Sequence, residues 1–503
     1  MTNDSTQDIK NQRFYGLFFG LILGLSIILR IPYLFAERLW PDEALYAWNA
    51  KRIFLHPELI FSKEIIDFHP PLFSIILSFA HWVFAPFMAC HVTVFLINIL
   101  GIVAVYLLGR KIQGPFLGCM AAMMLALNRM YFGMSGYILI DGVLTVFVIL
   151  FLYFLRETPT KENTRQDLWI ALAIMAVILL KWSGGIALVF VLFYYLLFLT
   201  NLTVRERIRK ASVVLMMGGV LVGLLLVLNH AVLGSWIPKV FGHSYDEFQL
   251  PFLFYWSQLD LVIRKPLVPF FLVGLYLSLK NNDHRYRVHG VWILFVFFVI
   301  SAMVNKDNRF MLMFLPSVVL LTGAGIEFLI SKFAGARADT LFKPLSLLIV
   351  LAGLLYYQYP SFGPYLNANA SSYSGYRETG LFVNKFIRDF PDTLVLAGSP
   401  RGIRYFSDVN FTEFGGVLMR LPETETELRK IISLAPGGLL LIVDEWEWAQ
   451  PKWLYPLTND KIRLLKEMGF TLIYVVNKPA GRADYTTPNT DVIWVFLRPD
   501  PNE

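Results

Sequence analysis

Charge is scarce in this chain. Of its 503 residues only 16% are charged, against about 25% in an ordinary globular chain, while 56% are hydrophobic and 16% aromatic. That deficit excludes a soluble enzyme of ordinary composition, and it equally excludes a disordered chain, which needs low hydrophobicity and high charge. Cysteine is nearly missing: Cys90 and Cys119 both sit in apolar runs without metal-like spacing, so neither a disulfide framework nor a structural zinc site is expected. Gly-rich phosphate loops, low-complexity tracts, internal repeats and nucleic-acid modules are all lacking. The net charge of +7 therefore does not point to nucleic acid, because membrane proteins gather Lys and Arg in cytoplasmic loops.

What the chain does have is long uncharged runs, each near the ~20 residues that a bilayer-spanning helix requires. The first, Phe14 to Leu29, continues into RIPYLF without the small-residue site of a cleavable signal, so a retained first span is expected. Further runs lie at 91 to 109, 115 to 132, 137 to 155, 167 to 181, 184 to 200, 211 to 230, 262 to 280, 290 to 304, 309 to 330 and 343 to 359, about 11 spans in all. Basic connections begin at residues 109, 156, 201, 280 and 331. The positive-inside rule puts these five, and the N-terminus, in the cytoplasm. Residues 37 to 90, 231 to 261 and everything beyond 360 then face outward. The stretch His69 to Ala89 begins HPP and carries His81 and Pro86, so helices lying in the outer interface are expected there rather than a crossing.

After Tyr359 the composition becomes that of a globular domain. TLVLAG, LLLIVDEW, TLIYVV and VIWVFL read as strands alternating with helical stretches, which predicts a small α/β domain. The expected architecture is an α-helical polytopic membrane module over 1 to 360, with a structured first outer loop, and an extracytoplasmic α/β domain over 361 to 503.

The ionisable residues that depart from this topology mark where chemistry would lie. Asp42 and Glu43 follow Pro41 at a helix start, where acids also suit the helix dipole. Asp141 lies near the outer end of an otherwise apolar span, where a carboxylate is costly unless it is paired or lines a wet cavity; a solvated helix-start residue is the alternative. Lys181 sits at the outward turn LLKWSGG, where snorkelling to the interface is the alternative. Lys306 and Arg309, in NKDNRF, are outward cations against the positive-inside bias and suggest an anionic ligand, most simply a phosphate. Carboxylates able to deprotonate a nucleophile, beside cations able to stabilise an anionic leaving group, fit a lipid phosphate ester. The same residue types also serve a polytopic transporter or a lipid-linked-sugar flippase. DEWEWAQPKW at 444 to 453 has the composition of a sugar-binding surface or of a strand end, and sequons occur at Asn369 and Asn410.

The ordered series RIPYLF, PDEALYAWNAKRI, HPPLFSIILSFAHWVF, LLGRKIQG, YILIDGVLTVFVILFLYFL, LKWSGG and NKDNRFMLMFLPSVVLLTGAGIE resembles the GT-C membrane glycosyltransferases. Within them it is similar to the prokaryotic members of the branch holding protein O-mannosyltransferases and aminoarabinose transferases, glycosyltransferase family 39 and its relatives. The resemblance covers roughly residues 25 to 330. It implies inverting transfer of a sugar, mannose or a related hexose, from a dolichyl or undecaprenyl phosphate donor to a hydroxyl of a protein, glycan or envelope lipid, at the outer face of the plasma membrane. The family's first-loop acidic pair falls on Asp42 and Glu43, with Asp42 as general base; its second acidic position falls on Asp141, and its basic-aromatic motif on Arg309 and Phe310. Lys181, Lys306, Arg309 and His69 become candidates for binding the donor phosphate. Aminoarabinose transferases carry Glu-Lys before Pro-Pro-Leu, where this chain has Phe68 and His69, so His69 is either a hydrogen-bond donor or a helix cap. A divalent metal among Asp42, Glu43, Asp141 and His69 or His243 suits the ligand chemistry, but members of this branch generally do not need one, and no cofactor or metal is assigned.

Overall fold

A computed structural model describes residues 2–35, 39–66, 69–84, 86–155, 164–199, 202–236, 238, 250–281, 283–335, 338–366, 375–398, 400–407, 418–434, 438–444, 451–477 and 491–499. Asp67, Phe68, His243, Asn369, Asn410 and residues 445–450 of the tryptophan-rich segment lie outside them.

Helices dominate the first part of the chain. Thr2–Arg30, Pro86–Ile112, Pro115–Ala126, Ile140–Leu155, Thr164–Leu180, Gly185–Phe198, Val204–Leu233, Val268–Lys280, His284–Ala302, Leu315–Ala334 and Lys343–Leu366 carry the apolar runs. Among the described residues five stretches are long and apolar enough to cross a membrane, Gln12–Phe35, Met88–Ile112, Val204–Leu233, His284–Ala302 and Leu315–Ala334, and shorter apolar helices accompany them. The chain is an integral membrane protein. Leu72–Phe79 has only 8 residues, about 12 Å at about 1.5 Å per residue, which is far short of a bilayer core.

In an apolar solvent these helices are held by close approach rather than by exclusion of water. A Cβ on Gly325 would collide with the Phe270 carbonyl oxygen, so Leu315–Ala334 meets Val268–Lys280 almost backbone to backbone. Arg30, fully buried at the end of the first helix, is satisfied without a carboxylate. Its Nε donates to Ser135 Oγ (2.8 Å), Nη2 to the Ala126 carbonyl (2.9 Å) and Nη1 to the Ser26 carbonyl (3.3 Å), with the Phe132 ring centroid 4.7 Å away. The RIPYLF segment is thereby locked to the helix turn Arg129–Met134, itself capped by Asn128, whose Oδ1 accepts from the Met130 and Tyr131 amides.

The chain divides into two compact units that do not follow chain order. One comprises Met1–Leu34, Ile53–Val83 and Ala89–Leu366; the other comprises Phe35–Arg52, Phe84–Met88 and Asn367–Glu503. The second contains a mixed sheet of order β2-β1-β3-β5-β4, with β1 Leu394–Ala397, β2 Leu418–Arg420, β3 Leu439–Asp444, β4 Thr471–Asn477 and β5 Asp491–Arg498. β1 pairs in parallel with β2 and β3, whereas β5 lies antiparallel to β3 and β4. β3 is buried at every residue. That explains its continuous apolar run, since a central strand covered on both faces loses the alternation of a half-exposed one.

Candidate active site

The helix Ile140–Leu155 starts one residue before Asp141 and packs closely because Gly142 follows. A Cβ on Gly142 would stand 2.9 Å from Asn98 Oδ1. Asp141 is 3% exposed, so it is not a solvated helix-start residue. Lys181 interrupts the helical path between Thr164–Leu180 and the turn Trp182–Gly184 with an extended backbone. Its Nζ donates to Asp141 Oδ1 at 2.7 Å and lies 5.3 Å from the Phe310 ring centroid. The lysine is 9% exposed; it pairs inward and does not snorkel.

Arg309 reaches the same carboxylate from a third segment. Its Nη1 is 3.8 Å from Asp141 Oδ2, while Nε and Nη2 are each 2.8 Å from Asp307 Oδ2. Asp307 Oδ1 also accepts the Arg309 amide (2.9 Å), and the Asp307 backbone exchanges hydrogen bonds with the Tyr255 hydroxyl at 3.1 and 3.2 Å. Asp307 and Tyr255 thus hold the guanidinium in place. Neither stood out in the sequence, although the acid two residues before Arg309 was a readable signal. Lys306, buried, turns to its own loop and donates to the Met303 carbonyl at 2.7 Å.

His69 joins the group electrostatically. Enclosure, then the charges of Lys181 and Arg309 against the opposing pull of Asp141, hold its imidazole down at about 3, so it is neutral near pH 7.

Asp42 and Glu43 belong to the other compact unit, in the first turn of Pro41–Leu55. Glu43 is fully buried, and its Oε2 accepts the Trp40 amide at 2.8 Å. That is half of a capping box, so Glu43 does the work of a helix start. Asp42 is half-buried. Among the described residues no three His, Cys, Asp or Glu side chains gather to hold a metal ion.

The chain is similar over most of its length to solved enzymes of one architecture. ArnT from Cupriavidus metallidurans, solved bound to undecaprenyl phosphate, superposes with TM-score 0.62 at 13% identity, covering 95% of this chain and 97% of that one. The protein has the GT-C glycosyltransferase fold. The oligosaccharyltransferase AglB from Archaeoglobus fulgidus, in complex with an inhibitory peptide and a dolichol-phosphate, matches with TM-score 0.58 and 12% identity over 86% of this chain and 69% of that one. The arabinofuranosyltransferase AftD from Mycobacteria gives TM-score 0.58 and 14% identity over 98% of this chain and 40% of that one. Residues 68–232 match the family model of dolichyl-phosphate-mannose-protein mannosyltransferases. That span includes His69, Asp141 and Lys181. No curated protein sequence matches the chain.

Proposed function

We propose that the protein transfers a hexose, mannose or a close relative, from a polyprenyl phosphate to a hydroxyl acceptor at the outer membrane face. The observation that carries this reading is Asp141 held by Lys181 at 2.7 Å and approached by Arg309 at 3.8 Å, from two other segments of the chain. Two cations, Lys181 and Arg309, converge on Asp141 from separate segments, and His69 beside them is neutral. Such a neighbourhood suits a phosphate. Lys181, an ammonium with three donors, gives one of them to Asp141.

In the proposed reaction Asp42 takes the proton of the acceptor hydroxyl, the oxygen forms its bond to the anomeric carbon, and the bond from that carbon to the phosphate oxygen breaks with inversion. The electron pair leaves on polyprenyl phosphate, a group that needs cations more than a strong acid, and Arg309 and Lys181 are the ligands proposed for it. Glu43 and Asp141 are proposed to orient sugar or acceptor groups. The acceptor is a protein, a glycan or an envelope lipid, and the C-terminal domain is extracytoplasmic in this reading. The test is to incubate the lipid-reconstituted protein with polyprenyl phosphate sugars and follow the donor by mass spectrometry. Release of polyprenyl phosphate supports the proposal; an intact donor in the presence of envelope acceptors opposes it.

A further inference from the structure

We infer that Lys51 is a positioning residue, and that the sheet-bearing part of the second compact unit is the mount of the helix that carries Asp42. The inference rests on the proposed role of Asp42. Lys51 is only 8% exposed, and its Nζ donates to the Tyr405 carbonyl at 3.1 Å and the Ser407 carbonyl at 3.0 Å. Those two oxygens lie at the end of the short helix Pro400–Phe406, where the last carbonyls lack intrahelical partners and the dipole favours a cation. An ammonium, with three donors and no acceptor, suits the place.

The short helix is fixed in turn. A Cβ on Gly380, in helix Tyr376–Asp389, would stand 2.8 Å from Phe406 Cβ and 3.1 Å from the Ile403 carbonyl, and one on Gly402 would stand 3.0 Å from the Tyr376 ring. The Tyr376 hydroxyl then donates to Asp444 Oδ2 at 3.3 Å, at the end of the fully buried β3. Direct contacts inside one compact unit therefore lead from Lys51 to the central strand. A general base works only within hydrogen-bond reach of the proton it takes, and a misplacement of about 1 Å costs about 10²-fold in rate. Lys51 touches no reacting atom in this account; it acts through the orientation of Pro41–Leu55.

The experiment compares full-length wild type, Lys51→Met, Lys51→Gln, Lys51→Arg and Asp42→Asn in lipid nanodiscs. Amide hydrogen exchange over residues 41–52 and 400–407 is read together with kcat and KM for the polyprenyl phosphate sugar that the wild type consumes. Lys51→Met is expected to lose protection in both segments while β3 and β5 keep theirs, and to lower kcat by about 10- to 100-fold with donor KM within about two-fold. Lys51→Gln should fall between, and Lys51→Arg should restore both protection and kcat. Unchanged protection in Lys51→Met overturns the tie, and lost protection with unchanged kcat overturns the positioning role. If Asp42→Asn keeps full activity while Lys51→Met loosens both segments, the assignment of the base fails and the mount stands.

Discussion

Lys181 Nζ donates to Asp141 Oδ1 at 2.7 Å across forty residues of sequence, with both side chains shielded from solvent. Each charge is tolerated because the other is there. Loss of one partner from such a buried pair costs about 3 to 5 kcal/mol, whereas replacement of both costs much less. Asp141→Asn and Lys181→Met should each lower the midpoint of thermal unfolding in detergent, and the double variant should recover a large part of the loss. Additive single effects would show that the two charges are held independently.

Arg309 is oriented by a fork that lysine does not have. Nε and Nη2 both engage Asp307, leaving Nη1 directed to Asp141. Arg309→Lys keeps the charge and loses the two-point hold. Its donor turnover should fall by about 10²- to 10³-fold, the range for removal of one preorganised charge stabiliser, and Asp307→Asn should fall in the same direction by less. Turnover in lipid nanodiscs checks both.

His69 is neutral in the folded protein and has its imidazole pulled from 6.5 to about 3. The unfolded chain binds this proton more readily, so the contribution to stability is present above pH 6.5 and is lost as pH falls from there toward 3. The wild type should lose stability over that window more steeply than His69→Asn. Between pH 5 and 8 the two should give kcat/KM profiles of the same shape, because the histidine does not change charge there.

Gly325 permits a backbone-to-backbone helix approach in the first unit, against the Phe270 carbonyl. Gly325→Ala should destabilise by about 1 to 3 kcal/mol or more, the usual cost of overpacking. Thermal unfolding of the variant, compared with Gly219→Ala, where a Cβ would meet only the Leu215 side chain at 3.9 Å, measures it.

The parts of this molecule that were legible in its sequence are the ones where a charge interrupts an apolar background. Asp141, Lys181 and Arg309 stand out for that reason, and the structure brings them together. Asp307 went unread although it lies two residues before Arg309, and Tyr255 was missed because its hydroxyl meets backbone groups of Asp307 fifty-two residues away, which leaves no periodic trace. The strand-like runs became β1, β3, β4 and β5, but β2 has only three residues and is too short to give a pattern. The grouping of Phe35–Arg52 with Asn367–Glu503 was illegible for a simpler reason. Lys51 finds backbone carbonyls more than three hundred residues away, and a carbonyl acceptor is the same in every residue type.

The central claim is transfer from a polyprenyl phosphate sugar with Asp42 as base. Its most direct test is mass spectrometry of a panel of such donors incubated with envelope acceptors and either wild-type or Asp42→Asn protein, matched for folding and reconstituted in lipid. The account predicts that the wild type converts one donor to polyprenyl phosphate and a glycosylated acceptor, and that Asp42→Asn does so about 10²- to 10⁴-fold more slowly. Equal rates for the two proteins, or no donor consumed by either, would contradict it.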